Sequence, residues 1–189
     1  MPASQGFDLY PPQPHHTRAP SRNLQFEYTN WKGTGIRVTD LSQGNLLYTA
    51  DVKILKPHLI VKTVSPAETV MGTVAFHILR SQIDLQVYGS TIALHRKGAL
   101  HIYFTYISPT YHDKRLNWRS KSSFQCFDFS CETEDGESLA RFSTRSWNIK
   151  KIGQLEVFGQ MGQDGDFMDE MVVAVLALVQ YSGAMRAAV

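Results

Sequence analysis

MVVAVLALVQYSGAM, residues 171–185, is the most apolar stretch of the chain, and it directly follows the acidic run DGDFMDE at residues 164–170. Whether it enters a bilayer or fills the middle of a protein decides the fold. Residues 171–179 are nine consecutive apolar side chains, enough to cover every side of a helix, and a helix apolar all round must be buried. A spanning helix needs about 20 apolar residues. Here Gln180, Tyr181 and Ser182 follow the first nine, and Arg186 burdens any extension. Asp164, Asp166, Asp169 and Glu170 stand on the leading side, where a basic flank usually orients insertion. The stretch therefore predicts a helix of about 16 residues, about 24 Å long, surrounded by protein. Acidic residues in the first turn suit the positive end of the helix dipole, Asp166 or Asp169 serves as the cap, and Gly183 ends the helix.

The wrapping is supplied upstream. From residue 22 to residue 158 the chain is a series of short β-type runs divided by turn residues. RNLQFEYT sets Leu24, Phe26 and Tyr28 against Asn23, Gln25 and Glu27, the alternation of a strand with one wet face. NWKGTG breaks the chain, and IRVTD, NLLYTADVKI, HLIVKTV, TVMGTVAFHIL, IDLQVY and TIALHRKG follow, with a tight hairpin at Gly89 and Ser90. LHIYFTYIS, LNWRS, SFQCFDFSC, SLARFST and GQLEVFG complete about twelve strands, with EDGES as a hairpin turn. A mainly β fold is expected: an antiparallel barrel of about twelve strands curled around the C-terminal helix. The expected divisions are a proline-rich, disordered tail at 1–21, a barrel domain at 22–183 and a short tail at 184–189.

The totals agree with one soluble domain. The chain has 189 residues, 43% of them apolar and 19% charged, and a formal net charge of +2. That charge is too small for a dedicated nucleic-acid binder, whose affinity rests on neutralising phosphates. Any basic site is local. The N-terminal segment lacks a basic stretch followed by an apolar run, so no secretory signal is expected, and its YPPQP reads as part of a mobile tail. Cys126 and Cys131 match neither a zinc site nor a disulfide framework. That number and spacing suit a reducing compartment, and in a strand running from Phe124 to Cys131 the two sulfurs point to opposite faces, which argues against a local disulfide.

The closing half carries a family resemblance. RLNWRSKSSFQCFDFSCETEDGESLARFSTRSWNIKKIGQLEVFGQ, followed by DFMDEMVVAVLALVQY, is similar to the same region of small fungal members of the tubby C-terminal-like superfamily, which includes tubby proteins, phospholipid scramblases and the plant LURP-one-related proteins. The shared features are a Trp-containing strand, a hairpin with an acidic turn, an Ala-Arg-Phe strand, a Lys-Lys-x-Gly-x-Leu turn and strand, and a final acidic-then-apolar helix. The resemblance covers about residues 117–181, and the first half shares only the rhythm of strands. It implies a barrel around a buried helix, and binding of phosphoinositide headgroups as in tubby domains or a link to lipid movement and calcium as in scramblases. Tubby's own signature sequences have no close match here.

Two basic groups are candidates for such a role. Arg141, Arg145, Lys150 and Lys151 lie around Trp147, and Lys114, Arg115, Arg119 and Lys121 lie around Trp118. Basic side chains interleaved with indole suit an anionic headgroup at a membrane interface; ordinary solvated faces with both tryptophans in the core are the competing reading. In DGDFMDE, Asp164, Asp166 and Asp169 offer oxygens for a cation, but Gly165 comes too early for an EF-hand and Met168 falls where an oxygen is needed. His77, His95 and His101 fall on strand candidates, and His15 and His16 in the tail. No nucleophile elbow, zinc-protease pair or phosphate-binding glycine loop appears in the sequence. The expectation is a non-catalytic cytoplasmic barrel, peripheral at membranes rather than integral. It needs no cofactor or nucleic acid, and binds an anionic lipid headgroup or, alternatively, a protein partner.

Overall fold

The computed structural model describes residues 19–77, 80–97, 103–120, 128–144 and 150–187. Among them, twelve antiparallel strands close into a barrel: β1 (Pro20–Tyr28), β2 (Gly35–Asp40), β3 (Leu46–Val52), β4 (Leu59–Thr63), β5 (Thr69–His77), β6 (Gln82–Val87), β7 (Ser90–Lys97), β8 (Tyr103–Ser108), β9 (Lys114–Ser120), β10 (Phe129–Thr133), β11 (Ser138–Ser143) and β12 (Lys151–Phe158). Each strand pairs with its neighbours in sequence, and β1 closes the ring on β12 with Leu24 opposite Leu155. Closure leaves no exposed sheet edge. A 3-10 turn (Gly159–Gln163) then leads into α1 (Gly165–Ala187).

Alternation builds the inside of the barrel. Leu24 and Phe26 of β1, Ile83, Leu85 and Val87 of β6, Phe104 and Tyr106 of β8, and Phe129 and Cys131 of β10 all point inward and are buried. The outer face carries ion pairs instead, such as Arg37 with Glu27 at 2.6 Å and Lys62 with Asp51 at 3.3 Å. This apolar-in, charged-out pattern gives the helix a core to join. Every residue from 167 to 179 is buried. The stretch Gly165–Met185 is long and apolar enough to cross a bilayer by length and composition, yet 83% of its most apolar window lies inside the barrel. Gly72 on β5 admits it: a Cβ there would lie 2.8 Å from Val173 Cγ2 and 2.9 Å from the Gln86 carbonyl.

Three local features differ from the sequence reading. The helix does not end at Gly183 but runs to Ala187: Gly183 does not take the positive φ of a glycine cap, and Met185 still packs against the core. The cap is Asp164, not Asp166 or Asp169: its Oδ1 accepts from Phe167 N at 3.1 Å, and its carbonyl from Met168 N at 3.0 Å. β3 stops at Val52, so Ile54, expected in that strand, belongs to a loop. The expected tight hairpin is present as a two-residue turn at Tyr88 and Gly89, whose φ values of 47° and 84° give the left-handed pair that matches strand twist. In the acidic turn after β10, Gly136 supplies φ 84°.

Candidate functional site

The up-and-down order assigns every loop to one of two barrel ends. The helix enters at the first end, beside the turns β2–β3, β4–β5, β6–β7, β8–β9 and β10–β11, and runs toward the second, where the β1–β2, β3–β4 and β5–β6 connections lie. Side-chain contacts confirm its direction. Asp169 bonds to Tyr48 and Tyr88 at the entry end, whereas Tyr181 packs edge-on against Phe104 near the exit.

At the entry end the acidic run works inward. Asp169 accepts from the Tyr48 hydroxyl at 2.7 Å and from the Tyr88 hydroxyl at 2.6 Å. Glu170 is fully buried and accepts from the Tyr106 hydroxyl at 2.8 Å and the Thr110 hydroxyl at 2.7 Å. These bonds pin the second turn of the helix to β3, β8 and two loops. Burial, with the hydrogen bond to Asp169 and its charge, pushes the Tyr88 hydroxyl up to about 12, and burial, with the charges of Asp169 and Glu170, also raises Tyr48 and Tyr106. Of the candidate cation ligands, Asp164 caps the helix, Asp166 is exposed and Asp169 faces the tyrosines. Among the described residues, no three His, Cys, Asp or Glu side chains converge in a way that could hold a metal ion.

The predicted basic residues do not form one site. Lys114 and Arg115 lie at the entry end, Lys114 over the Tyr111 ring and Arg115 bonded to Glu134 at 2.9 Å. They line an open groove of about 320 Å³ with Asp113, Glu134 and Asp135, so its charge is mixed. Arg141 sits mid-strand and donates from Nε and Nη2 to Glu156 at 2.8 and 2.6 Å. Trp118 is completely buried, which removes its indole from any membrane interface; alternation in KRLNWRS turns it inward with Leu116 while Arg115 and Arg119 face out. Arg145, Trp147, Lys121, Cys126, His101, His15 and His16 lie outside the described residues. His77 is bonded on both ring nitrogens, to Asp84 at 2.7 Å and Lys56 at 3.3 Å, and Cys131 is a buried free thiol.

Lys150 and Lys151 lie at the exit end, where Tyr28 N donates to the Lys150 carbonyl at 2.8 Å. There they join residues that the sequence reading did not single out. Lys32, Lys53, Lys56, Arg80 and Lys97 are all exposed on this rim. Of the described carboxylates toward this end, Asp84 bonds to His77, whose other ring nitrogen meets Lys56, while Glu27 bonds to Arg37, Asp51 to Lys62 and Asp128 to Thr144. Between the lysines stand exposed apolar side chains, Trp31 at 83%, Ile54 at 95% and Leu55 at 80% exposure. The other end exposes Glu134, Asp135, Glu137, Asp164 and Asp166. Among the described residues cations therefore dominate the exit end, which also carries the three most exposed apolar side chains, while carboxylates outnumber Lys114 and Arg115 at the entry end, whose exposed apolar residues Leu41, Leu46, Val70, Tyr88 and Ile107 are only 39–57% exposed. Sequence carried a partial signal, since WK and KILK each place apolar side chains beside lysine in a turn.

The sequence matches no known family profile and no curated protein. Its fold has a precedent in a plant protein. An X-ray structure of a protein from Arabidopsis thaliana is similar with a TM-score of 0.54 and 15% identity, over 84% of this chain and 91% of that one. At that identity the likeness speaks for the overall fold alone, and the rim chemistry stands on this chain's own residues.

Proposed function

We propose that this chain is a non-catalytic barrel of the tubby C-terminal-like type that binds anionic phospholipid headgroups, phosphoinositides foremost, at its exit rim. The observation that carries the reading is the gathering of Lys32, Lys53, Lys56, Lys150 and Lys151 on one end of the barrel, opposite an end where, among the described residues, exposed carboxylates outnumber Lys114 and Arg115. An anionic leaflet attracts juxtaposed basic groups by about 1 kcal/mol each and repels carboxylates, so the same charge layout both binds and orients the barrel. Lys114, Arg115 and Arg141 take no part, being at the wrong end or paired with Glu156. Such a domain would act at the cytoplasmic face of a membrane as a peripheral protein.

Cosedimentation tests it. The purified chain should pellet with phosphatidylcholine vesicles that contain a phosphoinositide and stay in solution with phosphatidylcholine alone. Reversing Lys150 and Lys151 to glutamate should weaken binding by at least about 30-fold, two lysines at about 1 kcal/mol each. Added salt should weaken it as well. Equal recovery with neutral and anionic vesicles, or none with either, would leave the protein-interaction reading in its place.

A further inference from the structure

Trp31, Ile54 and Leu55 need an explanation that headgroup binding alone does not give. Apolar side chains half exposed on a surface, such as Leu41, Leu46, Val70, Tyr88 and Ile107 toward the entry end, are ordinary, but three exposed by 80% or more on two neighbouring loops of one rim are not. The loops are held firmly. In the first, Thr29 N donates to the Gly35 carbonyl at 2.9 Å, and Asn30 bonds across the turn to the Thr34 hydroxyl at 3.0 Å and the Thr34 amide at 3.2 Å. In the second, Lys53 N donates to the His58 carbonyl at 2.8 Å, His58 N to the Val74 carbonyl at 2.7 Å, and Phe76 N to the His58 ring at 3.1 Å. The two loops are tied at their bases by Val52 N donating to the Thr34 carbonyl at 2.9 Å. The fold therefore holds these side chains out in water instead of letting them turn inward.

Their flanks indicate the partner. Lys32 sits with Nζ 5.6 Å from the centre of the Trp31 ring, and Lys53 and Lys56 bracket Ile54 and Leu55 in sequence. Apolar tips rimmed by lysine match the cross-section of an anionic leaflet, with phosphate at the level of the ammonium groups and acyl carbon just below. Indole is also the side chain that prefers this interface. A protein groove complementary to two separate prongs and their lysines is a narrower fit than a fluid surface that adapts to them.

We infer that Trp31, Ile54 and Leu55 are prongs that penetrate the acyl boundary of an anionic bilayer while the surrounding lysines hold its headgroups. The inference rests on the proposed lipid binding and adds depth and orientation to it: the barrel stands end-on, its acidic end away from the membrane. Recognition then depends on acyl carbon as well as on charge, so a soluble headgroup binds more weakly than the same headgroup in a vesicle.

The test uses the full chain and phosphatidylcholine vesicles containing phosphatidylserine, with and without bromine on the phosphatidylcholine acyl chains. Trp31 emission should shift to the blue on binding and be quenched by the brominated chains. W31F should still bind, with the quenched component gone, which separates Trp31 from Trp118 and Trp147. I54A/L55A should bind about 30-fold or more weakly, given the apolar area lost, with an unchanged melting temperature because both residues are exposed. Binding to anionic vesicles with no quenching from the acyl chains would overturn the penetration and leave headgroup binding standing. Failure to bind any anionic vesicle would overturn both. Retention of vesicle affinity in I54A/L55A, with loss of a protein complex instead, would assign the prongs to a protein and refute the inference.

Discussion

Replacing Glu170 by alanine removes the most deeply placed carboxyl group of the barrel from its hydroxyl partners. The side chain is fully buried and accepts from Tyr106 at 2.8 Å, from the Thr110 hydroxyl at 2.7 Å and from the Thr110 amide at 3.4 Å. Donors surround it on each side, the arrangement an acceptor-only group requires. Truncation leaves the buried Tyr106 hydroxyl without its partner, at about 1–3 kcal/mol, and removes one buried methylene, at about 0.8 kcal/mol, with the carboxyl group. The expected loss is about 2–4 kcal/mol, a large share of the stability of a domain this size. Glutamine keeps one acceptor oxygen but turns an amide toward a donor, so E170Q should lose less, about 1–3 kcal/mol. Urea unfolding followed by tryptophan fluorescence measures each variant, and a double-mutant cycle with Y106F isolates the pair. The cycle should return a coupling of at least about 1 kcal/mol. An E170A protein within about 0.5 kcal/mol of the parent, or additive single changes, would show that the acidic run does not anchor the helix and would refute the reasoning.

Other outcomes follow from the same structure. G72A should destabilise by about 1–3 kcal/mol, since its new methyl meets both Val173 and the Gln86 carbonyl; adding V173A should recover only part, because the carbonyl remains. D164A should cost about 1 kcal/mol in thermal or urea unfolding by uncapping α1. His58 is held below the usual histidine value by burial first and then by the charges of Lys56 and His77. The unfolded chain therefore binds this proton more readily, and the contribution is fully present above about pH 6.5 and is lost as pH falls through the depressed folded value. The melting temperature should drop on acidification below neutrality, and H58Q should reduce that drop; an identical acid response would contradict it.

The barrel was legible because its signals are periodic. Strands such as RNLQFEYT and IDLQVY alternate cleanly, and nine apolar residues in a row force a helix to be enclosed. Trp118 was legible too: the period of two in KRLNWRS places it opposite Arg119, and reading its basic neighbours as a cluster obscured that. The helix end was not, since glycine at 183 stops a helix only if the chain gains by turning there, and here the core still receives Met185. The roles of Asp169 and Glu170 depend on tyrosines 121, 81 and 64 residues away in sequence, which no local pattern encodes. The rim is a similar case. Lys32, Lys53 and Lys150 are far apart in the chain and meet only because a closed meander brings alternate loops to one end.

Enclosure of residues 171–179 by the strands underlies all of this, and hydrogen–deuterium exchange read by mass spectrometry on detergent-free protein tests it directly. Peptides covering that segment should be among the slowest in the molecule, exchanging only through global unfolding. Exchange there as fast as in the 53–58 loop would contradict the account.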